Sequence, residues 1–164
     1  MSANGGNAIL SALVNAYASA LVNVSHTVGI EAEFLKGSIA VGINAPGSRA
    51  AALIGIVGTG VHGTAAVMAD EAAFAAYVAA FSGGIIEADP DDPMAMSVLG
   101  EMTNMISGQA LIKANIQGMD ITPPQLVSGE NIKAVPPKKQ DVKSFTLPFK
   151  VGEGKVYLIL SIQG

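Results

Sequence analysis

Two pairs of short apolar runs, each hinged on closely spaced glycines, constrain this 164-residue chain more than any other feature. Ala51 to Val57 and Thr64 to Met68 flank a segment holding Gly58, Gly60 and Gly63. Phe145 to Val151 and Lys155 to Ile162 flank Gly152-Glu153-Gly154. Apolar runs of strand length around a glycine turn read as β-hairpins, and hairpins place antiparallel strands side by side. A helical bundle is thereby excluded, and an antiparallel sheet is expected.

Helical segments precede and separate the hairpins. Asn7 to Val22 sets Ile9, Leu10, Leu13, Val14, Tyr17 and Leu21 on one stripe, the period of a helix with one buried side. Its other side is small and uncharged: Ala8, Ser11, Ala12, Asn15 and Ser19. His26 to Lys36 alternates enough for a strand, and Ala45-Pro46-Gly47 is a turn. Asp70 caps a helix that runs to about Phe81 and stops at Gly83-Gly84. Asp92 with Pro93 opens a second long helix, closed at Gly118. Pro123-Pro124 then precedes a short strand at Gln125 to Val127, and Asn131 to Val142 is a loop bearing Pro and Lys. Both halves thus run helix, strand material, hairpin. The pattern predicts an α+β fold with a weak internal duplication, an antiparallel sheet packed with two long helices, and one domain over residues 1–164.

Composition narrows the function classes. Half of the residues are hydrophobic and 13% are charged, against about 25% in an average soluble protein. Disorder is excluded, and some of the surface is expected to be covered by a partner. A net charge of -4 speaks against nucleic acid, whose phosphates call for clustered Lys and Arg. Without cysteine, disulfides, thiolate catalysis and zinc-thiolate sites are all out of reach. No run of about 18 apolar residues is free of polar breaks, so no membrane-spanning helix is expected. Ala18-Ser19-Ala20 resembles a signal-peptidase site, but no Lys or Arg precedes it, and Ser11, Asn15 and Ser19 recur at helical spacing. An amphipathic helix in a cytoplasmic protein is the reading.

Several patterns invite chemistry without sustaining it. Gly58, Gly60 and Gly63 fit the dinucleotide pattern GxGxxG, with Glu87 near the place of a ribose-binding acid. A dinucleotide-binding enzyme is therefore one alternative, though the chain lacks the β-α alternation such a fold needs. Asp89, Asp91 and Asp92 are interrupted by Pro90 and precede a helix, whose dipole favours carboxylates there. His26 and His62 have no paired ligand or nucleophile, so no metal site is expected. Lys133, Lys138, Lys139 and Lys143 read as a solvated loop, and Met94, Met96, Met102 and Met105 as mostly core.

The second long helix is the informative one. At about 100° per residue, Val98, Met102, Met105, Ile106 and Ile116 gather on one broad side. Ser97, Glu101, Asn104 and Gly108 form a narrower stripe beside it, four, three and four residues apart. Glu101 is the only charged residue between Asp92 and Lys113. An acid and an amide on a face ending in glycine leave room for another molecule to approach. An ordinary exposed helix face gives the same pattern.

Ser97-Val98-Leu99-Gly100-Glu101-Met102-Thr103-Asn104 resembles the S/D-x3-E-x2-N signature of the CheC, CheX and FliY phosphatases of bacterial chemotaxis. The resemblance extends to the hairpin from Ile54-Gly55-Ile56-Val57-Gly58 through Gly63 to Met68, to Pro124 through Gly129, and to Leu147-Pro148-Phe149 through Leu160. Members of the CheC branch carry the motif on both repeated helices. Here the first helix has Ser11, but Asn15 in the acid's place and Ala18 in the amide's, so one site remains, the pattern of the CheX branch. The resemblance implies a pseudo-duplicated CheC-like architecture and a phosphatase that hydrolyses the aspartyl phosphate of the response regulator CheY, or of a related receiver domain. Asn104 would hold the attacking water and Glu101 would pair with the regulator's active-site lysine. Ser97 and Gly108 would help dock the partner, and Mg²⁺ would belong to the regulator, with no cofactor on this chain. It also implies a homodimer, for which edge strands of the C-terminal half are the expected contact. A non-catalytic docking module is the other alternative, as in the related middle domain of the flagellar switch protein FliM, which lacks the acid–amide pair.

Overall fold

The computed structural model describes residues 3–58, 61–116, 118–133 and 142–163. In chain order these form α1 (Ala3–Thr27), β1 (Ala32–Phe34), a 3-10 turn at Lys36–Ser38, β2 (Ala40–Val41), β3 (Ala50–Gly58) and β4 (Val61–Ala69). There follow α2 (Glu71–Ser82), α3 (Pro93–Ala114), β5 (Met119–Ile121), β6 (Gln125–Ser128), β7 (Val142–Val151) and β8 (Gly154–Gln163). The strands make one antiparallel sheet in the order β1-β7-β8-β4-β3-β5, with β2 also on β7 and β6 also on β3. The two hairpins, β3–β4 and β7–β8, meet at the centre through β4 and β8.

That order reads the same from either edge when β1 to β4 are exchanged with β5 to β8. The duplication expected from the sequence is therefore present, and it is interleaved. Each half's short strands border the other half's hairpin, so neither half completes its sheet alone.

Alternation along the strands divides the core between two faces. Ala50, Ala52, Ile56, Ala65, Val67, Ala69, Val156, Leu158, Leu160 and Ile162 point toward the helices, where Leu13, Tyr17, Leu21, Phe74, Tyr77, Leu99, Met102 and Ile106 complete the main core. Ala51, Ala66, Met68, Tyr157 and Ile159 form a smaller cluster on the opposite face, packed by Ile43, Ala45, Leu53 and Ile132. All three α-helices thus lie on one side of the sheet, and α3 packs against α1, β3, α2 and β6.

Several local expectations are corrected. The first helix reaches Thr27 rather than Val22, so only Ala32–Phe34 of the expected strand at His26 to Lys36 is extended. The Ser25 hydroxyl donates to the Leu21 carbonyl and lies 2.7 Å from the Tyr77 hydroxyl, which ties the last turn of α1 to α2. Residues 8–27 are long and apolar enough to cross a membrane by length and a hydropathy of 1.5, contrary to the expectation. Leu10, Leu13, Tyr17, Leu21 and Val24 are nonetheless buried in the core. α3 ends at Ala114, with Asn115 in the left-handed conformation at φ 52°, three residues before the expected Gly118. Lys143 belongs to β7 rather than to a loop, while Lys138 and Lys139 lie outside the described residues.

Candidate functional site

The start of α3 is fixed by two neighbouring residues. The Asp92 carboxylate accepts from the Met94 backbone N–H at 3.0 Å, and Pro93 occupies the first turn, where its missing N–H costs nothing. Asp89 accepts from the Asp91 N–H at 2.9 Å, so two of the three clustered acids organise the entry to the helix. Among the described residues no three His, Cys, Asp or Glu side chains converge on a common point.

Buried Ala95, Met96, Val98, Leu99, Met102, Thr103, Ile106, Ser107 and Ala110 turn one broad side of α3 into the molecule. The Thr103 hydroxyl donates to the Leu99 carbonyl, so this inward polar group is satisfied within the helix. At the contact with α1, the buried hydroxyls of Tyr17 and Ser107 stand near each other without a well-aligned hydrogen bond. Burial pushes the Tyr17 phenol up to about 12, and the Ser107 hydroxyl only partly offsets it.

The polar stripe faces out. Ser97 and Glu101 are exposed, and Asn104 and Gly108 are half-buried on the same side of the helix. The structure therefore brings together all four residues singled out from the sequence. The Ser97 hydroxyl is turned back on its own helix and donates to the Met94 carbonyl at 2.6 Å. The two glycines of α3 differ in kind. A Cβ at Gly100 would stand 3.1 Å from Leu126 Cδ2 and 3.3 Å from Pro124 Cγ, so this glycine lets α3 settle on the β5–β6 connection. A Cβ at Gly108 would meet nothing within 4 Å. Internal packing does not require that glycine, and it leaves clear space one turn beyond Asn104.

Two of the four methionines read as core are not core. Met96 and Met102 are buried, but Met94 is 62% exposed and Met105 38%. Helical projection puts Met105 on the broad apolar side, which the structure leaves exposed at that residue, and Ile116 falls beyond the end of the helix. Amino-acid type misled here, since an apolar side chain on a helix faces either a core or a partner and composition does not distinguish them.

The dinucleotide alternative fails on topology. Gly63 lies within β4, which continues as a strand to Ala69, so no helix opens at the pattern's end. Gly60 lies outside the described residues. A Cβ at Gly58 would collide with the Met119 side chain, and one at Gly63 would stand 2.5 Å from the Ser161 carbonyl oxygen. Both glycines are there for close approach between strands. A hollow of about 420 Å³ opens beside the smaller core cluster, lined by Ile43, Asn44, Ala45, Pro46, Asn131, Ile132 and Lys133. It gathers no acid–base pair.

Comparison with known proteins places this geometry. Residues 50–150, which include the whole of α3, match the family model described as "Chemotaxis phosphatase CheX". The chain is 32% identical over 145 residues to the CheY-P phosphatase CheX of Thermotoga maritima, covering 87% of this chain and 84% of that one. It is similar to the crystal structure of a chemotaxis protein CheX from Desulfovibrio desulfuricans, with TM-score 0.76 and 25% identity over 92% of this chain and 99% of that one. The fold also matches a crystal structure of a CheX-CheY-BeF3-Mg complex from Borrelia burgdorferi, with TM-score 0.67 and 20% identity over 94% of this chain and 97% of that one.

Proposed function

The chain belongs to the CheX family of chemotaxis phosphatases, and on that premise we propose that it hydrolyses the aspartyl phosphate of a CheY-type receiver domain in the cytoplasm. The observation that carries the reading is the outward-facing acid–amide pair of α3, exposed Glu101 and half-buried Asn104, with open space at Gly108 on the same face. Asn104 enters the receiver's phosphorylation site and holds a water in line with phosphorus. The water's oxygen bonds to phosphorus, the bond from phosphorus to the aspartyl oxygen breaks, and inorganic phosphate and a free carboxylate leave. An acyl phosphate already has a good leaving group, so positioning the nucleophile supplies acceleration without a strong base. An amide suits this task because it both donates and accepts and brings no charge against the phosphoryl oxygens.

Glu101, one turn earlier, pairs with a lysine of the receiver and fixes the register of docking. Ser97 and Gly108 border the contact, Gly108 by leaving room for the partner's backbone. The Mg²⁺ of the reaction belongs to the receiver, and this chain works without a metal of its own. The chain acts as a homodimer through β6, an edge strand of the C-terminal half. All four β6 residues are exposed, among them Leu126 and Val127, which supports pairing there. Light scattering that finds only a 16.6 kDa species overturns the dimer.

Phosphate release from a phosphorylated receiver, with and without this protein, tests the function. Asn104→Asp keeps the shape, loses the amide's two N–H donors and sets a negative charge toward the phosphoryl group. Turnover is expected to be abolished while the melting temperature is retained. Glu101→Ala weakens docking, with a deficit that shrinks at high salt as the lost charge pair is screened. Wild-type turnover by Asn104→Asp refutes the water-positioning role.

A further inference from the structure

Beyond the acid–amide pair, α3 presents a line of large apolar side chains to solvent. Met94 is 62% exposed, Met105 38% and Ile112 81%. At 100° per residue these three lie within about 20° of one line along the helix. Glu101 falls within about 20° of the same line, and Asn104 lies about 80° round the helix from it, level with its midpoint. The line runs 18 residue steps from Met94 to Ile112, about 27 Å at 1.5 Å per residue. We propose that Met94, Met105 and Ile112 form the apolar rim on which the receiver domain seats, so that they set affinity for the receiver while Glu101 and Asn104 act at its centre.

The identity of the occupant follows from geometry and rests on the function proposed above. A phosphoryl group held in a surface pocket of a folded domain reaches Asn104 only if that domain lies across α3. A small domain is about 30 Å wide, so one centred on Asn104 extends over Met94 on one side and Ile112 on the other. The chemistry of the strip agrees with that occupant. Cores of transient interfaces are depleted in charge and enriched in Met, whose unbranched side chain adapts to a partner's contour. Between Asp92 and Lys113 this helix carries one charge, Glu101, and the apolar strip flanks it on both sides along the helix.

The test is the affinity for a receiver domain carrying beryllofluoride, an acyl-phosphate mimic, measured by titration calorimetry, with phosphate-release kinetics alongside. Met94→Ala/Met105→Ala/Ile112→Ala is expected to weaken binding by about tenfold or more, because three large apolar side chains together lose the area they would bury against the receiver. KM rises correspondingly and kcat stays within about threefold, because the reacting groups are untouched. Met94→Ala/Ile112→Ala, at two positions more than half exposed, repeats the direction with minimal risk to folding. Ile85→Ala, 88% exposed just beyond α2, leaves affinity and turnover unchanged. If the wild type binds and the triple variant binds equally well, the rim is refuted and the proposed function stands. If the triple variant instead alters the oligomeric state at unchanged receiver affinity, the strip faces a second copy of this chain and the proposal is likewise overturned. A wild type that binds no receiver removes the proposed function, and the rim with it.

Discussion

Gly108 offers a perturbation in which stability and function move in opposite directions. It sits within α3, six residues before the last helical residue, and its φ is not in the positive range. Glycine inside a helix costs about 0.5–1 kcal/mol relative to alanine, from the extra backbone freedom lost on folding. A Cβ there meets nothing within 4 Å, so no steric term offsets the gain. Gly108→Ala should raise stability by about 0.5–1 kcal/mol, at about 2–4 °C of melting temperature per kcal/mol for a chain of this size. Gly100→Ala is the contrast: its Cβ lands 3.1 Å from Leu126 and 3.3 Å from Pro124, and the crowding cancels or reverses the same backbone gain. Gly108→Gln also removes the glycine and should fold at least as well as wild type. Helical side chains lean toward the N-terminus and cover the preceding turn, so the glutamine lies over Asn104. Catalytic efficiency toward a phosphorylated receiver should fall at least tenfold, equivalent to about 1.4 kcal/mol of lost transition-state binding. Thermal melts and phosphate release measure the two effects separately. A Gly108→Gln protein that melts no lower than wild type and turns over at the full rate would show that the partner does not approach this face.

Two further expectations concern the scaffold. The Asp70 carboxylate accepts from the Ala73 N–H that opens α2 and from the Lys155 N–H at the β7–β8 turn, both at 2.9 Å. Asp70→Ala removes the cap and the cross-link together and should cost about 2–3 kcal/mol in denaturant titration; a loss under 0.5 kcal/mol would contradict that accounting. The second concerns alkaline pH. Burial holds the Tyr17 phenol at about 12 and also raises Tyr77 above the usual 10. Since the folded state resists deprotonation and the unfolded state does not, this stability is fully present below pH 10 and is lost as pH rises through about 12. Tyr17→Phe gives up no well-formed hydrogen bond and should flatten the decline in melting temperature across that window.

Features written in local chemistry were legible. The β3–β4 and β7–β8 hairpins, the Asp70 and Asp92 caps and the left-handed Gly83 each depend on residues close in sequence. The misreadings fall where distant contacts decide. α1 continues past Val22 because Ser25 has a partner in Tyr77, fifty-two residues away. Asn115 and Gly118 both tolerate positive φ, so nothing local says which of them ends α3. Nor does local pattern reveal that β1 and β2 border β7 while β5 and β6 border β3. Helical projection placed Ser97, Glu101, Asn104 and Gly108 on one face, and the structure keeps them there. Geometry alone describes an ordinary solvated face, and the chemical reading of it rests on the resemblance of Ser97, Glu101 and Asn104 to the family signature.

The duplication also sets the α3 face beside its counterpart on α1, and the two differ. Ser11 and Asn15 on α1 are exposed, as Ser97 and Glu101 are on α3. The positions of the two amides then part: Asn104 is half-buried at the surface, whereas Ala18 is 5% exposed and belongs to the main core. No large apolar side chain of α1 is exposed among its described residues, in contrast to Met94, Met105 and Ile112 on α3. α1 therefore carries neither the acid–amide pair nor an exposed apolar surface around its position, and Ala18 serves packing instead. Restoring the motif with Asn15→Glu/Ala18→Asn should not restore a site. The asparagine would be forced into the core, where an unpaired amide costs about 1–3 kcal/mol. The expected result is a lowered melting temperature, with no phosphate release when the pair is added to an Asn104→Asp background. Recovery of turnover in that background would mean that α1 can rotate outward to present its eighteenth residue, and that the two helices are less differentiated than their burial indicates.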